Sequence, residues 1–201
     1  MKFDYCKAVG MHLRTINNEI TVYFASYGES YYLCTIKMTI MNKITDQELD
    51  ERVTRAVENF MAGYGCCQSV VAAFADLYDL DEVMSKRVAA GFGGGVGRLR
   101  MMCGCVSGIV MLVGLDCEQT EGNDREGKSA CYKVVQELLA KSEQENGSLI
   151  CAEILGLKGF EKAKSSYVAS ERTAEYYKVR PCAAKVESAA RIFANYLRNK
   201  V

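Results

Sequence analysis

The chain has 201 residues, enough for one domain with a sizeable core, and its 25 basic and 25 acidic side chains give a formal net charge of zero. A neutral chain gives no electrostatic reason to expect nucleic acid or an anionic membrane as the main partner. The longest apolar stretch, residues 103–115, is shorter than the about 20 residues that a membrane-spanning helix needs, so we expect no membrane span.

The chain has ten cysteines and begins without the apolar core of a secretory signal. We therefore expect a cytoplasmic protein. In that compartment, reduced thiols, redox-active thiols or metal ligands are favoured over a structural disulfide framework.

Residues 1–44 differ in composition from the rest. Two segments rich in β-branched and aromatic residues flank Gly28-Glu29, which predicts a short β-hairpin or an appendage of uncertain order. Met38 and Met41 stand just ahead of a helix start, so a native chain that begins there is a hypothesis. We assign this segment no function.

Residues 45–201 predict one helical domain. Thr45 and Glu48 have the spacing of a capping box, and Gly63 and Gly65 end the helix that follows. Further helices are predicted at about 66–78, 81–92, 103–115, 125–143, 148–157 and from Pro181 onward. The fold class is therefore all-α, a compact bundle of about five to seven helices around the apolar helix 103–115.

A glycine-dense turn precedes that central helix and includes Gly93, Gly94, Gly95 and Gly97. Three interpretations are open: a tight connection between closely packed helices, a mobile loop beside Cys103, or an anion cradle that uses Arg98 or Arg100. The turn is neither a P-loop nor a dinucleotide fingerprint, because no GKS or GKT follows it and no strand precedes it.

Four cysteines stand where helices or apolar faces begin: Cys66, Cys103, Cys151 and Cys182. A helix N-terminus lowers the pKa of a thiol, so all four are candidates for thiolate chemistry. The single histidine, His12, lies in the N-terminal segment, which argues against Cys–His catalysis. Activation is then left to a helix end or to Arg98, Arg100 or Lys185.

These motifs carry a family resemblance. The matching stretches are Gly65–Val70, the FGGGVG run at 92–97, Cys103–Gly108, Cys151–Leu155 and Cys182. Residues about 55–198 resemble the redox-active protein family named for its C_GCAxxG_C_C cysteine motif. The resemblance implies that Cys66, Cys103, Cys151 and Cys182 are the family cysteines, and that Gly104 and Gly108 belong with the supporting glycines. It implies a redox role without a defined substrate.

The sequence departs from the family pattern at Cys105 and Cys67, which replace small residues. Because cysteine packs like a small apolar residue, packing substitution is the favoured interpretation, and extra redox partners or metal ligands are the alternative.

The predicted function is thiol–disulfide or electron-transfer chemistry, as in a thiol-dependent oxidoreductase. Cys103 or Cys66 attacks, a neighbouring cysteine resolves, and the redox partner is unidentified. One alternative is an iron–sulfur or zinc protein that uses the same four cysteines, although their spacing matches no zinc ribbon or ferredoxin. Another is a non-catalytic helical protein with buried structural thiols. Assembly into a homo-oligomer is left open.

Overall fold

The computed structural model describes residues 11–16, 19–24, 38–39, 44–157 and 166–200. The chain divides into two compact units, Met1–Ile44 and Thr45–Val201. Three strands are described in the first unit: β1 (Met11–Ile16), β2 (Glu19–Phe24) and β3 (Met38–Thr39). β2 pairs antiparallel with both β1 and β3, with Phe24 opposite Met11 and Glu19 opposite Thr39. The hairpin turn expected at Gly28-Glu29 lies outside the described residues.

The described part of the second unit contains eight α-helices and no strand, so the all-α prediction is confirmed. They are α1 (Asp46–Met61), α2 (Cys66–Ala72), α3 (Glu82–Ala89), α4 (Gly104–Cys117), α5 (Arg125–Asn146), α6 (Cys151–Ile154), α7 (Ala174–Val179) and α8 (Cys182–Asn199). Short 3-10 turns, Ala75–Tyr78 and Ala90–Phe92, follow α2 and α3. The predicted helix 66–78 is therefore α2 followed by one 3-10 turn. The helices α6 and α7 are short, with 4 and 6 residues.

Side-chain caps fix where the longer helices begin. The Thr45 backbone N–H donates to Glu48 Oε2 at 2.8 Å, and the Glu48 N–H donates to Thr45 Oγ1 at 3.2 Å, which confirms the predicted capping box. The carboxylates of Asp81 and Asp124 cap α3 and α5 by accepting from the backbone N–H groups of Met84 and Gly127. Gly147 ends α5 with a φ of 81°, a left-handed conformation that suits glycine.

The core lies where α4 packs against α2, α5 and α8, and where α8 packs against α1. Phe74 and Phe193 meet edge to face in this core, with ring centroids 5.2 Å apart. On α1, Leu49, Val53, Ala56 and Phe60 are buried, whereas Met61 is exposed. On α5, Leu138 is buried but Cys131 is half-exposed, because α5 packs on the outside of the bundle.

The far end of α4 is held by a buried carboxylate. Asp116 accepts hydrogen bonds from Tyr78 at 3.1 Å and from Tyr196 at 2.5 Å, and it pairs with Lys200 at 2.8 Å. These contacts join the C-terminal end of α8 to the core. Within the described residues, no helix is both long and apolar enough to cross a membrane.

Candidate functional site

At the opposite end of α4, five thiols line one cavity of about 530 Å³. They are Cys66 on α2, Cys103 and Cys105 at the start of α4, Cys151 on α6 and Cys182 on α8. The structure therefore brings together the four cysteines singled out in the sequence, from four helices, and adds Cys105 to them.

Each of the four cysteines stands at a helix start, as the sequence predicted. Cys66, Cys151 and Cys182 are the first residues of α2, α6 and α8, and Cys103 is the N-cap of α4. Glycine and proline set three of these positions locally, because each helix starts directly after Gly65 or Pro181 or at Gly104. Four helix starts thus face a single cavity.

Backbone pairing brings Cys103 and Cys151 together. The N–H of Cys103 donates to the carbonyl of Leu149 at 2.8 Å, and the N–H of Cys151 donates to that of Met101 at 2.7 Å. An isolated antiparallel bridge between Met102 and Ile150 lies between these two hydrogen bonds. The extended residues ahead of α4 and α6 therefore run alongside each other, which places Cys103 and Cys151 on adjacent backbone segments.

Glycines permit the close approach of these backbones. A Cβ on Gly104 would lie 2.9 Å from the Phe92 carbonyl oxygen and 3.2 Å from Cys66 Cβ. Gly95 has a φ of 74°, and a Cβ there would lie 2.6 Å from Cys151 Cβ. The tight-connection interpretation of the glycine run therefore describes this structure.

The predicted supporting glycines fall into two places. Those at the cavity wall are Gly93, Gly94, Gly95, Gly97 and Gly104. Gly108 lies one turn further along α4, where a Cβ would be 2.9 Å from Val70 Cβ, so it serves the packing of α4 on α2.

Cys66 has the most strongly stabilised thiolate of the site. Hydrogen bonds from the thiols of Cys105 and Cys182, together with the positive charge of Arg172, hold its pKa well below the ordinary thiol value of 9.0 despite burial. The lowered pKa favours the thiolate of Cys66, which is the form that acts as a nucleophile.

Cys105 also serves Cys103. A hydrogen bond from the Cys105 thiol is the main cause that lowers the pKa of Cys103, and the backbone N–H groups of Cys105 and Val106 add to it. Cys103 can meet Cys105 in this way because it is the N-cap, with φ −59° and ψ 135°, and lies outside the helical repeat. Cys105 is buried, as the packing interpretation expects, and its thiol is also the first cause that lowers the pKa of Cys66 and of Cys103.

The expected lowering of thiol pKa at a helix start is wrong for the other two cysteines. The pKa of Cys182 is raised, first because its thiol donates a hydrogen bond to Cys66 and then because it is buried. Burial also raises the pKa of Cys151, although Arg100 Nη1 lies 3.9 Å from Cys151 Sγ and opposes that rise. Cys182 and Cys151 therefore hold their protons more tightly than Cys66 does.

The cation that acts on Cys66 is Arg172, from a polar connector far along the chain, and not the predicted Arg98, Arg100 or Lys185. Arg172 is held against the rings of Tyr176 and Phe60, 4.6 Å and 4.8 Å from their centroids, and donates to the Tyr64 carbonyl at 3.2 Å. No local motif marks such a position.

The other described cysteines stand apart from the cavity. Cys67 is fully buried, with its Sγ 3.6 Å from Met111 Sδ. Cys117 is the last residue of α4, and Cys131 lies in the second turn of α5. All eight described cysteines are free thiols. Among the described residues, no three or more Cys, His, Asp or Glu side chains are arranged to hold a metal ion.

Comparison with known proteins agrees with this cysteine arrangement. The family model described as "Putative redox-active protein (C_GCAxxG_C_C)" matches residues 64–196, well over half of the chain. The chain belongs to this family. The family description supports a redox role in general terms and specifies neither thiol exchange nor metal binding. No curated protein and no solved structure matches the chain.

Proposed function

We propose that this family member is a thiol–disulfide oxidoreductase in which Cys66 is the nucleophile and Cys182 the resolving cysteine. The observation that supports the proposal is the convergence of five thiols in one cavity, where Cys105, Cys182 and the charge of Arg172 lower the pKa of Cys66. A nucleophilic cysteine that shares a cavity with a second thiol has a candidate resolving partner nearby.

The reaction takes two exchange steps. The Cys66 thiolate attacks one sulfur of a disulfide, forms a mixed disulfide and releases the other half as a thiolate. The Cys182 thiolate then attacks Cys66 Sγ, releases the second half as a thiolate and leaves a Cys66–Cys182 disulfide. Two cysteines are oxidised and one disulfide is reduced to two thiols, so electrons balance.

The first step prepares the second. The hydrogen bond to the Cys66 thiolate is the main cause of the raised pKa of Cys182. When Cys66 is in a mixed disulfide its negative charge is gone, so this cause disappears and the pKa of Cys182 falls. The N-terminus of the 18-residue helix α8 then favours the Cys182 thiolate.

Cys182 suits the resolving role better than Cys105. Both thiols donate to Cys66, but Cys105 is buried in the first turn of α4, whereas Cys182 is half-exposed at the start of α8. An exposed resolving thiol can approach the attacked sulfur in line while the leaving group departs into the cavity.

The proposal is tested with the anaerobically reduced protein and a neutral small disulfide, bis(hydroxyethyl) disulfide. We expect each chain to lose two thiols to the probe, as counted by thiol titration. The Cys182→Ser variant should stop at a mixed disulfide on Cys66, seen by mass spectrometry, while Cys131→Ser should behave as the unaltered chain does. The proposal would be overturned if every thiol of the protein could still be titrated after treatment with the disulfide. It would also be overturned if stoichiometric iron or zinc protected the thiols.

A further inference from the structure

The wall of the thiol cavity is strongly cationic. Four basic side chains line it: Arg98, Arg172, Arg180 and Lys185. A fifth, Arg100, is buried directly behind it against Cys151. None of the described residues that line the cavity is an Asp or a Glu. In a chain of zero formal net charge, this is a local concentration of positive charge.

The partners of these cations are neutral groups. Arg98 donates from Nε to the Ser166 carbonyl at 3.1 Å and from Nη1 to Ser170 Oγ at 2.8 Å. The Arg180 guanidinium lies 4.8 Å from the ring centroid of Tyr176. Burial and the charges of Arg100 and Arg180 lower the pKa of Arg98, as expected where like charges face one another without compensation.

Arg172 adds an unused donor. Its Nη2 donates to the Tyr64 carbonyl at 3.2 Å, but its buried Nη1 has no hydrogen-bond partner in the described part of the chain. Because Arg172 lines the cavity, a bound carboxylate would give its guanidinium a charged acceptor through a charge-assisted hydrogen bond. Arg172 is also the cation that acts on Cys66, so an anion held there would lie close to the nucleophile.

The size of the cavity limits what it can hold. Sites for small molecules typically measure about 300–1,000 Å³, and this cavity of about 530 Å³ lies within that range. Its glycine-lined wall leaves room beside the thiols, since Gly93, Gly94 and Gly97 carry no side chain.

We propose that the substrate of this site is a small disulfide that carries carboxylate groups, bound by Arg172, Arg180 and Lys185 with a sulfur facing Cys66. This inference rests on the proposed function and names its substrate class. The exchange is the two-step reaction given above, and the carboxylates take no part in it. They hold the disulfide in place and neutralise the cationic wall.

The test uses three symmetric disulfides that share the same two-carbon arm: dithiodipropionate, its diamide, and cystamine. They carry two negative charges, no charge and two positive charges. The second-order rate constant for oxidation of the reduced protein is measured for each and divided by the rate constant with a free small thiol. We expect the dianion to exceed the neutral diamide by about tenfold, the effect of one hydrogen bond to a charged group, and cystamine to be slowest.

A pair of variants matched in charge locates the effect. Arg180→Gln should reduce the advantage of the dianion by about threefold, because this half-exposed cation is partly screened by solvent. Arg191→Gln removes the same charge from an exposed side chain on α8 that pairs with Glu187 outside the cavity, and it should leave all three rate constants unchanged.

The possible results separate the two proposals. If the three probes react at equal corrected rates, or if Arg191→Gln has the same effect as Arg180→Gln, the carboxylate-bearing substrate is wrong and thiol exchange stands. If none of the probes oxidises the cavity thiols, the proposed function itself is wrong.

Discussion

Cys66 and Cys67 are neighbours in the sequence, yet they face different surroundings and differ in chemistry. Cys66 faces the cavity, where hydrogen bonds from Cys105 and Cys182 and the charge of Arg172 lower its pKa. Cys67 faces the core, where burial, followed by the charges of Cys66 and Cys103, raises its pKa to about 12. The difference shows that burial alone does not decide the state of a thiol: the donors and charges around it do.

The two ends of α4 repeat this contrast on a larger scale. At its start, thiols and cations surround a cavity. At its end, Asp116 is enclosed by two tyrosines and Lys200, and burial followed by the nearby Cys131 thiol raises the pKa of Cys117 to about 11. We infer that redox chemistry belongs to one end of the bundle and that the other end secures the fold.

The largest expected effect comes from replacing each of the two neighbouring cysteines by serine in separate variants. Cys66→Ser should abolish oxidation of the protein by small disulfides, because the nucleophile is lost. Cys67→Ser should keep the reaction, at a cost of about 1–3 kcal/mol in the free energy of unfolding for a hydroxyl in an apolar site. Thiol titration and urea denaturation check the two halves. If both variants lost the reaction equally, the proposed difference between Cys66 at the cavity and Cys67 in the core would be wrong.

A smaller effect concerns how closely α4 approaches α2. Gly104→Ala should destabilise the fold by about 1–3 kcal/mol, since its Cβ would meet the Phe92 carbonyl and Cys66. The matched control lies on the same helix: at Gly114 a Cβ meets nothing within 4 Å, so Gly114→Ala should stabilise by up to about 1 kcal/mol. Chemical denaturation measures both variants. A neutral Gly104→Ala would show that this contact is looser than described.

At the other end of the helix, Asp116→Asn should reduce the free energy of unfolding by about 1–2 kcal/mol, because the ion pair with Lys200 and the charged acceptor for both tyrosines are lost. The rate of disulfide exchange in the folded protein should not change. A variant that is fully stable, or one that slows exchange while remaining folded, would contradict the assignment of separate roles to the two ends.

The smallest expected effect is the dependence of cysteine alkylation on pH. Alkylation requires the thiolate, so its rate falls as pH drops through the pKa of each cysteine. Cys66, whose pKa is lowered, should remain reactive to iodoacetamide well below pH 9, whereas Cys117 should become reactive only as pH rises toward about 11. Mass spectrometry of alkylated peptides over a pH series gives both profiles. A Cys66 profile centred at or above the ordinary thiol value contradicts the account.

Local signals in the sequence located the helix starts. The capping box at Thr45, Gly65 before Cys66 and Pro181 before Cys182 act on the residues beside them, so they could be recognised without tertiary structure. The same signals placed the four cysteines at helix starts, and the family motif linked them to one another. The resulting prediction of an all-α fold was correct.

The surroundings of the thiols depended on contacts that no local pattern records. Arg172 reaches Cys66 from a connector more than a hundred residues along the chain, and Cys182 acquires a raised pKa from a thiolate on a different helix. The sequence favours a small packing residue at Cys105 over a redox partner. The role of Cys105 as a donor arises because Cys103, as N-cap, turns back toward it.

The central claim is that Cys66 and Cys182 form the redox pair of this protein. The most direct test is to oxidise the reduced protein with less than one equivalent of a small disulfide, block the remaining thiols, and identify the first linked peptides by mass spectrometry. The account predicts a disulfide between Cys66 and Cys182. It also predicts that Cys117 and Cys131 carry the blocking reagent, because they remain thiols during the oxidation. A first disulfide between Cys117 and Cys131, with Cys66 still reduced, would contradict it.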